Sequence, residues 1–399
     1  MKIDFVYALV KTILGSFLSF VLPLVILNYL SFQTYGVFVQ KFLTVNFLAI
    51  FGGGLNLGLV KVIVADKTEN INYEPLLEHY IWLFSLRSGV VLTLISASFI
   101  YAEVSIIFIL LSIVFFGLLA VTQEALLKAH GRFKEYYTLN SLLLILRLVL
   151  VWFFISLRSD ILSIGYGYLS SIFIYYLFLL YLNRRNYLSN VIFNRSKLRG
   201  ILKAVIDHST HSLIRMFSDF SIRYLLTVAP GIILGSPGLT SALDLAAKIP
   251  QGMYGIITSS YPVLLNKQIG DSLNTKGRKE WLNKANKIFS SVALFSFISV
   301  YFVSEYILTL WLGLEFQIET ISFIKYFLII YCIKAARDHG IQTIVAINRH
   351  KMLSVYLIII VGFLAALLPI SFVSIELYLM LACCVYIIRN FIIIKLLVK

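Results

Sequence analysis

The sequence predicts an all-α integral membrane protein, with twelve transmembrane helices in two pseudo-symmetric six-helix bundles. Three observations carry that expectation: the composition, the length of the apolar runs, and the side on which the basic residues fall. Of 399 residues, 60% are apolar, 15% aromatic and only 13% charged, and the mean hydropathy is +0.90. A soluble domain is nearer half apolar and a quarter charged, so an ordinary globular protein is excluded. Long apolar stretches and only seven prolines exclude disorder. The three cysteines, Cys332, Cys383 and Cys384, all lie inside apolar runs. They form neither a disulfide framework nor a CxxC metal spacing, and no cofactor is implied.

A spanning helix needs about 20 mostly apolar residues to cross roughly 30 Å of hydrocarbon. Twelve stretches qualify, at about 5–29, 36–61, 76–100, 103–127, 137–157, 161–182, 205–230, 239–265, 288–311, 319–346, 352–373 and 375–397. Inside lipid the backbone must satisfy its own hydrogen bonds, which leaves helices or a closed barrel. Barrel strands alternate apolar and polar residues. Runs such as Leu142-Leu143-Leu144-Ile145-Leu146 and Tyr175-Tyr176-Leu177-Phe178-Leu179-Leu180 do not. The first span is too long for a signal peptide and lacks a small-residue cleavage site, so it reads as a retained helix.

The net charge is +15, from 34 basic and 19 acidic residues. With a cytoplasmic N-terminus, the outward connections (30–35, 101–102, 158–160, 231–238, 312–318 and 374) carry one basic residue, Arg158. The inward ones hold large basic clusters at 184–203 and 267–287. By the positive-inside rule both termini are cytoplasmic. The clusters also suit anionic membrane lipid, whereas nucleic acid is not expected on short loops tethered to helix ends.

The longest connection divides the chain into an N-terminal six-helix lobe (1–183), a cytoplasmic linker (184–204) and a C-terminal six-helix lobe (205–399). A short internal likeness supports duplication. Ala129-His130-Gly131-Arg132-Phe133-Lys134 follows the fourth span, and Ala346-Ile347-Asn348-Arg349-His350-Lys351 follows the tenth. Both put Arg-x-Lys in a tight turn at one point of a six-helix unit.

Charges inside the spans stand out, because one near the bilayer centre costs at least about 2.5–3.5 kcal/mol. Arg87 and Arg147 lie deep in the third and fifth spans. Arg215, Asp219 and Arg223 repeat at i, i+4, i+8 on the seventh, so Asp219 can reach both arginines. Asp244 and Lys248 form an i, i+4 pair on the eighth span, ahead of Pro250, and the tenth holds Lys334, Arg337 and Asp338. Asp244 is expected near the outer interface and Arg389 to snorkel inward. Seven cations (Arg87, Arg147, Arg215, Arg223, Lys248, Lys334 and Arg337) against Asp219, Asp244 and Asp338 leave four surplus positive charges. That sum favours an anionic substrate with phosphate groups, since Arg binds phosphate bidentately. Gly52-Gly53-Gly54, Gly58, Pro23, Pro250 and Pro262 mark places where helices can bend or pack closely.

Several segments resemble the polysaccharide flippases, the O-antigen translocases (Wzx type) of the multidrug/oligosaccharidyl-lipid/polysaccharide (MOP) exporter superfamily. They are Pro23, then Thr34-Tyr35-Gly36-Val37-Phe38, Gly54-Leu55-Asn56-Leu57-Gly58-Leu59-Val60-Lys61, Gly131-Arg132-Phe133-Lys134, and Asp219 followed by Ala246-Ala247-Lys248-Ile249-Pro250 and Pro262. One departure is Gly52, which stands where the family often has Asp. The resemblance implies a MATE-like fold with a V-shaped cavity, and alternating access in the bacterial inner membrane. The substrate it implies is an undecaprenyl-pyrophosphate-linked oligosaccharide repeat unit, moved from the cytoplasmic to the periplasmic leaflet. A polysaccharide polymerase and a chain-length regulator are the further partners such a role involves. With no GxxxxGK[ST] in the chain, the energy source is expected to be an ion gradient, through Asp219, Asp338 or Asp244. The cations above would line the substrate path. The alternatives are a multidrug exporter of the same superfamily, a peptidoglycan or teichuronic-acid precursor flippase, and an O-antigen polymerase. The last would be expected to carry its chemistry in a large outward loop, and no outward connection here reaches ten residues.

Overall fold

The computed structural model describes residues 2–50, 56, 59–60, 63, 81, 84–92, 106–184, 195–259, 275–312, 317–346 and 350–398. The described elements are helices: α1 Lys2–Leu27, α2 Phe32–Asn46, α3 Ile106–Ala129, α4 Phe133–Leu157 and α5 Ile161–Asn183. They continue with α6 Arg195–Thr227, α7 Pro237–Ser259, α8 Thr275–Leu312, α9 Gln317–Ala346, α10 His350–Leu367 and α11 Ile375–Val398. A short helical turn, Ala229–Ile233, joins α6 to α7, and a 3₁₀ turn, Leu368–Phe372, leads α10 toward α11. The second and third predicted spans lie partly outside the described residues, as do the glycine run at 52–54 and the turn at 347–349.

Seven described helices are long and apolar enough to cross a bilayer on composition alone. The helices α6, α7 and α9 miss that standard because they carry Arg, Lys and Asp along their spans. Large apolar side chains cover the outside. Phe295, Phe302, Tyr306 and Leu310, for example, form an exposed face of α8 that only lipid can satisfy. The chain is a multi-pass membrane protein.

Two helices outrun the membrane. With 33 residues α6 is about 50 Å long and α8, with 38, about 57 Å, against roughly 30 Å of hydrocarbon. Residues 195–204, which the sequence assigns to the linker, are the opening turns of α6. Span counting stops where apolarity stops, but Lys and Arg are good helix formers and carry the helix on. Arg195, Lys197, Arg199 and Lys203 therefore ride on a helical extension, as do Lys276, Arg278, Lys279, Lys284 and Lys287 of α8.

The chain separates into two compact units, Met1–Gln40 with Ser221–Lys399, and Lys41–Phe220. In the second, α3, α4 and α5 pack as hairpins. The turn after α3 is a Schellman motif: Gly131 has φ +69°, and Arg132 N and Gly131 N donate to Leu127 O and Lys128 O at 2.8 and 3.0 Å. Arg132 also pairs with Glu135 and donates to Leu182 O of α5 at 3.4 Å, so part of its charge satisfies a helix C-terminus. Asp160 caps α5 by accepting from Ser163 N at 2.8 Å and pairs with Arg158 at 2.5 Å. Gly167 of α5 lies against the backbone of Val151 on α4.

In the first unit, α1 packs on α7 around Gly252, where Ser16 Oγ donates to Gly252 O at 3.3 Å. Trp311 Nε1 donates to Phe20 O at 3.1 Å. Pro250 sits inside α7, where it cannot donate to the carbonyl four residues earlier. A second Schellman turn, at Gly235 with φ +61°, and Ser236, which accepts from Leu239 N at 3.3 Å, fix where α7 begins.

A Cβ added at Gly167 would lie 2.5 Å from Val151 Cα, whereas one at Gly117 meets nothing within 4 Å. Gly167→Leu is expected to destabilise by about 1–3 kcal/mol and Gly117→Ala to be neutral or slightly stabilising. Melting followed by tryptophan fluorescence in detergent micelles tests the contrast.

Candidate functional site

The start of α2 lies against the start of α7. Gly36 permits the approach: a Cβ there would lie 1.9 Å from Pro237 O. Around it, Ser241 Oγ donates to Phe32 O at 2.6 Å and Gln40 Nε2 donates to Thr240 Oγ1 at 2.8 Å. One step deeper, Tyr35 OH donates to Asp244 Oδ2 at 2.8 Å. Residues 237, 240, 241, 244 and 248 repeat at helical spacing, so a single stripe of α7 makes all these contacts.

Asp244 is the centre of this junction. Its side chain is 1% exposed, and it pairs with Lys248 Nζ at 3.0 Å and Arg223 at 3.5 Å. Rather than snorkelling, Asp244 is held inside the protein by two cations and a tyrosine. Arg223 reaches this carboxylate because α6 and α7 come together there. The cations are more open than the anion they hold, Lys248 at 16% and Arg223 at 36%.

A second cluster lies on α9, α11 and α7. Asp338 Oδ1 takes Arg389 at 2.5 Å and its Oδ2 accepts from Tyr254. Lys334 lies over the Tyr254 ring, 4.6 Å from its centroid. Arg389 was expected to snorkel; it is instead 2% exposed and fully engaged. A buried carboxylate one helix away outweighs the distant interface.

In the Lys41–Phe220 unit, Arg147 sits midway along α4. Its guanidinium lies over the ring of Tyr168, 4.7 Å from the centroid, and its Nε is buried without a hydrogen-bond partner. Among the described residues no carboxylate pairs with it. Arg215 and Asp219 are half-buried on α6, and Arg87 is exposed, on one helical face with Phe84 and Val91. Arg337 is on α9, its side chain outside the described residues.

Sequence reasoning overlooked a polar network at the C-terminal end of α3. Glu124 accepts from Tyr175 OH at 2.7 Å and pairs with Lys128 at 3.6 Å. Lys128 also donates to Asn56 Oδ1 at 3.3 Å and faces the Tyr136 ring at 4.2 Å, while Asn140 donates to Tyr175 OH at 2.9 Å. The i, i+4 spacing of Glu124 and Lys128 was the available signal. Tyr35 and Gln40 carried none, since a Tyr and a Gln near a helix start are ordinary.

No family model matches the chain, and no curated protein matches it. Solved structures do. A multidrug resistance MATE family transporter of the MOP superfamily in an inward-facing conformation has TM-score 0.65 at 18% identity, over 98% of this chain and 95% of that one. Its outward-facing counterpart has TM-score 0.64 at 16% identity, over 98% and 96%. A MOP superfamily transporter from Pyrococcus furiosus, described by the reverse polarity of its binding pocket, has TM-score 0.58 at 15% identity, over 99% and 96%. The likeness shows the fold, the twelve-helix, two-bundle architecture of these transporters; the structures it matches are transporters, not enzymes.

Because Arg389 and Asp338 compensate each other out of water, Asp338→Asn alone is expected to cost about 3–5 kcal/mol. Adding Arg389→Met to that variant should recover most of the loss. Thermal melting of the two single variants and the double variant measures the coupling.

Proposed function

We propose that this protein is a flippase of the bacterial inner membrane, with both termini in the cytoplasm. It carries an undecaprenyl-pyrophosphate-linked oligosaccharide repeat unit from the cytoplasmic to the periplasmic leaflet by alternating access, driven by an ion gradient. The observation that carries this reading is Arg147, a guanidinium kept mid-span over a tyrosine ring with no carboxylate partner among the described residues. Holding such a charge in a bilayer is costly, and a visiting anion is what it can serve. The buried carboxylates point the same way. Glu124, Asp244 and Asp338 each already hold a lysine or arginine, which leaves little to attract the cations that a drug exporter carries. A diphosphate offers the paired oxygens a guanidinium grips best.

The basic extensions of α6 and α8 meet the substrate's phosphates and the anionic leaflet first. The glycan then passes along the cationic residues while the polyprenyl chain stays in lipid. Asp219, Asp244 and Asp338 are the candidates for coupling. At Asp244 or Asp338, protonation would release a bound cation, which links proton entry to the charge offered to substrate.

Arg147→Ala with Arg215→Ala, expressed in a strain lacking its own repeat-unit flippase, is expected to reduce surface glycan at least tenfold while the protein stays at normal level in the membrane. Wild-type glycan would overturn the reading. In proteoliposomes carrying a lipid-linked glycan, a protonophore should collapse translocation; an unchanged rate would exclude proton coupling.

A further inference from the structure

Asp244 holds two of the seven cations that the flippase reading assigns to substrate and, through the oxygen that Lys248 shares, the α2–α7 junction. Tyr35 OH and Lys248 Nζ both meet Oδ2, at 2.8 and 3.0 Å, and Arg223 meets Oδ1 at 3.5 Å. We infer that Asp244 is a resident counter-anion, displaced from Lys248 and Arg223 by an incoming lipid diphosphate, and that this displacement unfastens α2 from α7. The inference rests on the substrate class proposed above and assigns Asp244 a positioning role in its transport.

Exposure sets the order of events. The carboxylate is 1% exposed, whereas Lys248 and Arg223 are 16% and 36% exposed, so a ligand meets the cations before the anion. A diphosphate carries more charge and more acceptor oxygens than one carboxylate, and outcompetes it for a guanidinium and an ammonium held side by side. Asp244 is then a buried charge left with a tyrosine hydroxyl, an arrangement that protein interiors do not sustain without water or a new partner. What still fastens the helices is neutral: Gln40 to Thr240 and Ser241 to the Phe32 carbonyl. These bonds depend on the close approach at Gly36, where a Cβ would already clash with Pro237 O. In the proposed orientation the junction lies on the outer side, so its release opens the route by which a substrate taken up from the cytoplasm departs. When the diphosphate leaves, Asp244 recovers its cations and the junction closes.

The test uses Gln40→Cys with Thr240→Cys in the full chain, with Cys332, Cys383 and Cys384 changed to alanine, reconstituted in lipid nanodiscs. The readout is the rate of cross-linking by dibromobimane. Farnesyl pyrophosphate, its binding verified by native mass spectrometry, is expected to slow cross-linking at least fivefold, and farnesol to leave the rate unchanged. Tyr35→Phe, which leaves both cations on the carboxylate but cuts its bond to α2, should cross-link slowly and show no further slowing with the ligand. Lys248→Gln should weaken the response, and Asp244→Asn should cross-link slowly with or without the ligand. If Asp244→Asn fails to accumulate, the Tyr35→Phe and Lys248→Gln pair still decides. Farnesyl pyrophosphate that binds without slowing the reaction, or that accelerates it, overturns the exchange and leaves the flippase reading standing. If it does not bind at all, the substrate class falls, and this inference with it.

Discussion

A carboxylate with 1% exposure in a membrane helix has to be compensated locally, and at Asp244 that requirement shapes everything nearby. Three donors converge on it, from α2, α6 and from α7 itself one turn on. Two of them carry charge, so their helices cannot drift without exposing a charge to hydrocarbon. The small residues of the junction follow from this. Asp244 can accept Tyr35 at 2.8 Å only if the backbones of α2 and α7 come close, and Gly36, Thr240 and Ser241 leave room for that. Pro250 adds a break just beyond Lys248, so the charged stretch of α7 and the stretch packed on Ser16 and Phe20 need not share one straight axis.

The same constraint, met differently, gives the other polar sites their character. Asp338 and Arg389 compensate each other at 2.5 Å, and Tyr254 donates to the second carboxylate oxygen. Glu124 is softer: its lysine is at 3.6 Å and is shared with Asn56 and a tyrosine ring. At Arg147 the compensation among the described residues is an aromatic face alone, worth little compared with an ion pair once both are removed from water. Ranked by how well each charge is satisfied, Asp338 comes first, Asp244 and Glu124 follow, and Arg147 is last.

Much of the architecture was legible from apolarity, because lipid imposes one periodic demand on every spanning helix and composition meets it visibly. The first span and the fourth to seventh match α1 and α3 to α6 to within a few residues where the chain is apolar. They diverge where basic residues prolong a helix into water, as at 195–204. For the sites, sequence found the charges and one pair along a helix, Asp244 with Lys248, but not the partners on other helices. Spacing along one helix suggested Asp219 for Arg223 and Lys334 for Asp338, since i, i+4 is the only proximity a linear reading can see. The bonds that matter cross between helices: Tyr35 to Asp244 spans 209 positions and Arg389 to Asp338 spans 51. Two of the segments on which the family resemblance rested, Thr34–Phe38 and Ala246–Pro250, prove to flank one ion cluster, a link that the pattern of letters could not express.

The balance of compensated and uncompensated charge bears on transport itself. A carrier that held a strong, fully matched site for its substrate would bind and not release, while an unmatched charge in the bilayer would destabilise the empty protein. In the proposed exchange, sharing Asp244 between Lys248 and Arg223 avoids both extremes, because the empty state leaves only one of the two positive charges uncompensated and the loaded state trades one anion for another. The trade is selective, because a neutral lipid cannot make it and a cation would be repelled. The proposed exchange would also be self-limiting, since the displaced carboxylate stays tethered on α7 and can compete for its cations again. A buried acid among basic residues, read from sequence as a deduction from the positive charge available to substrate, becomes in the proposed exchange the part that lets that charge be used repeatedly.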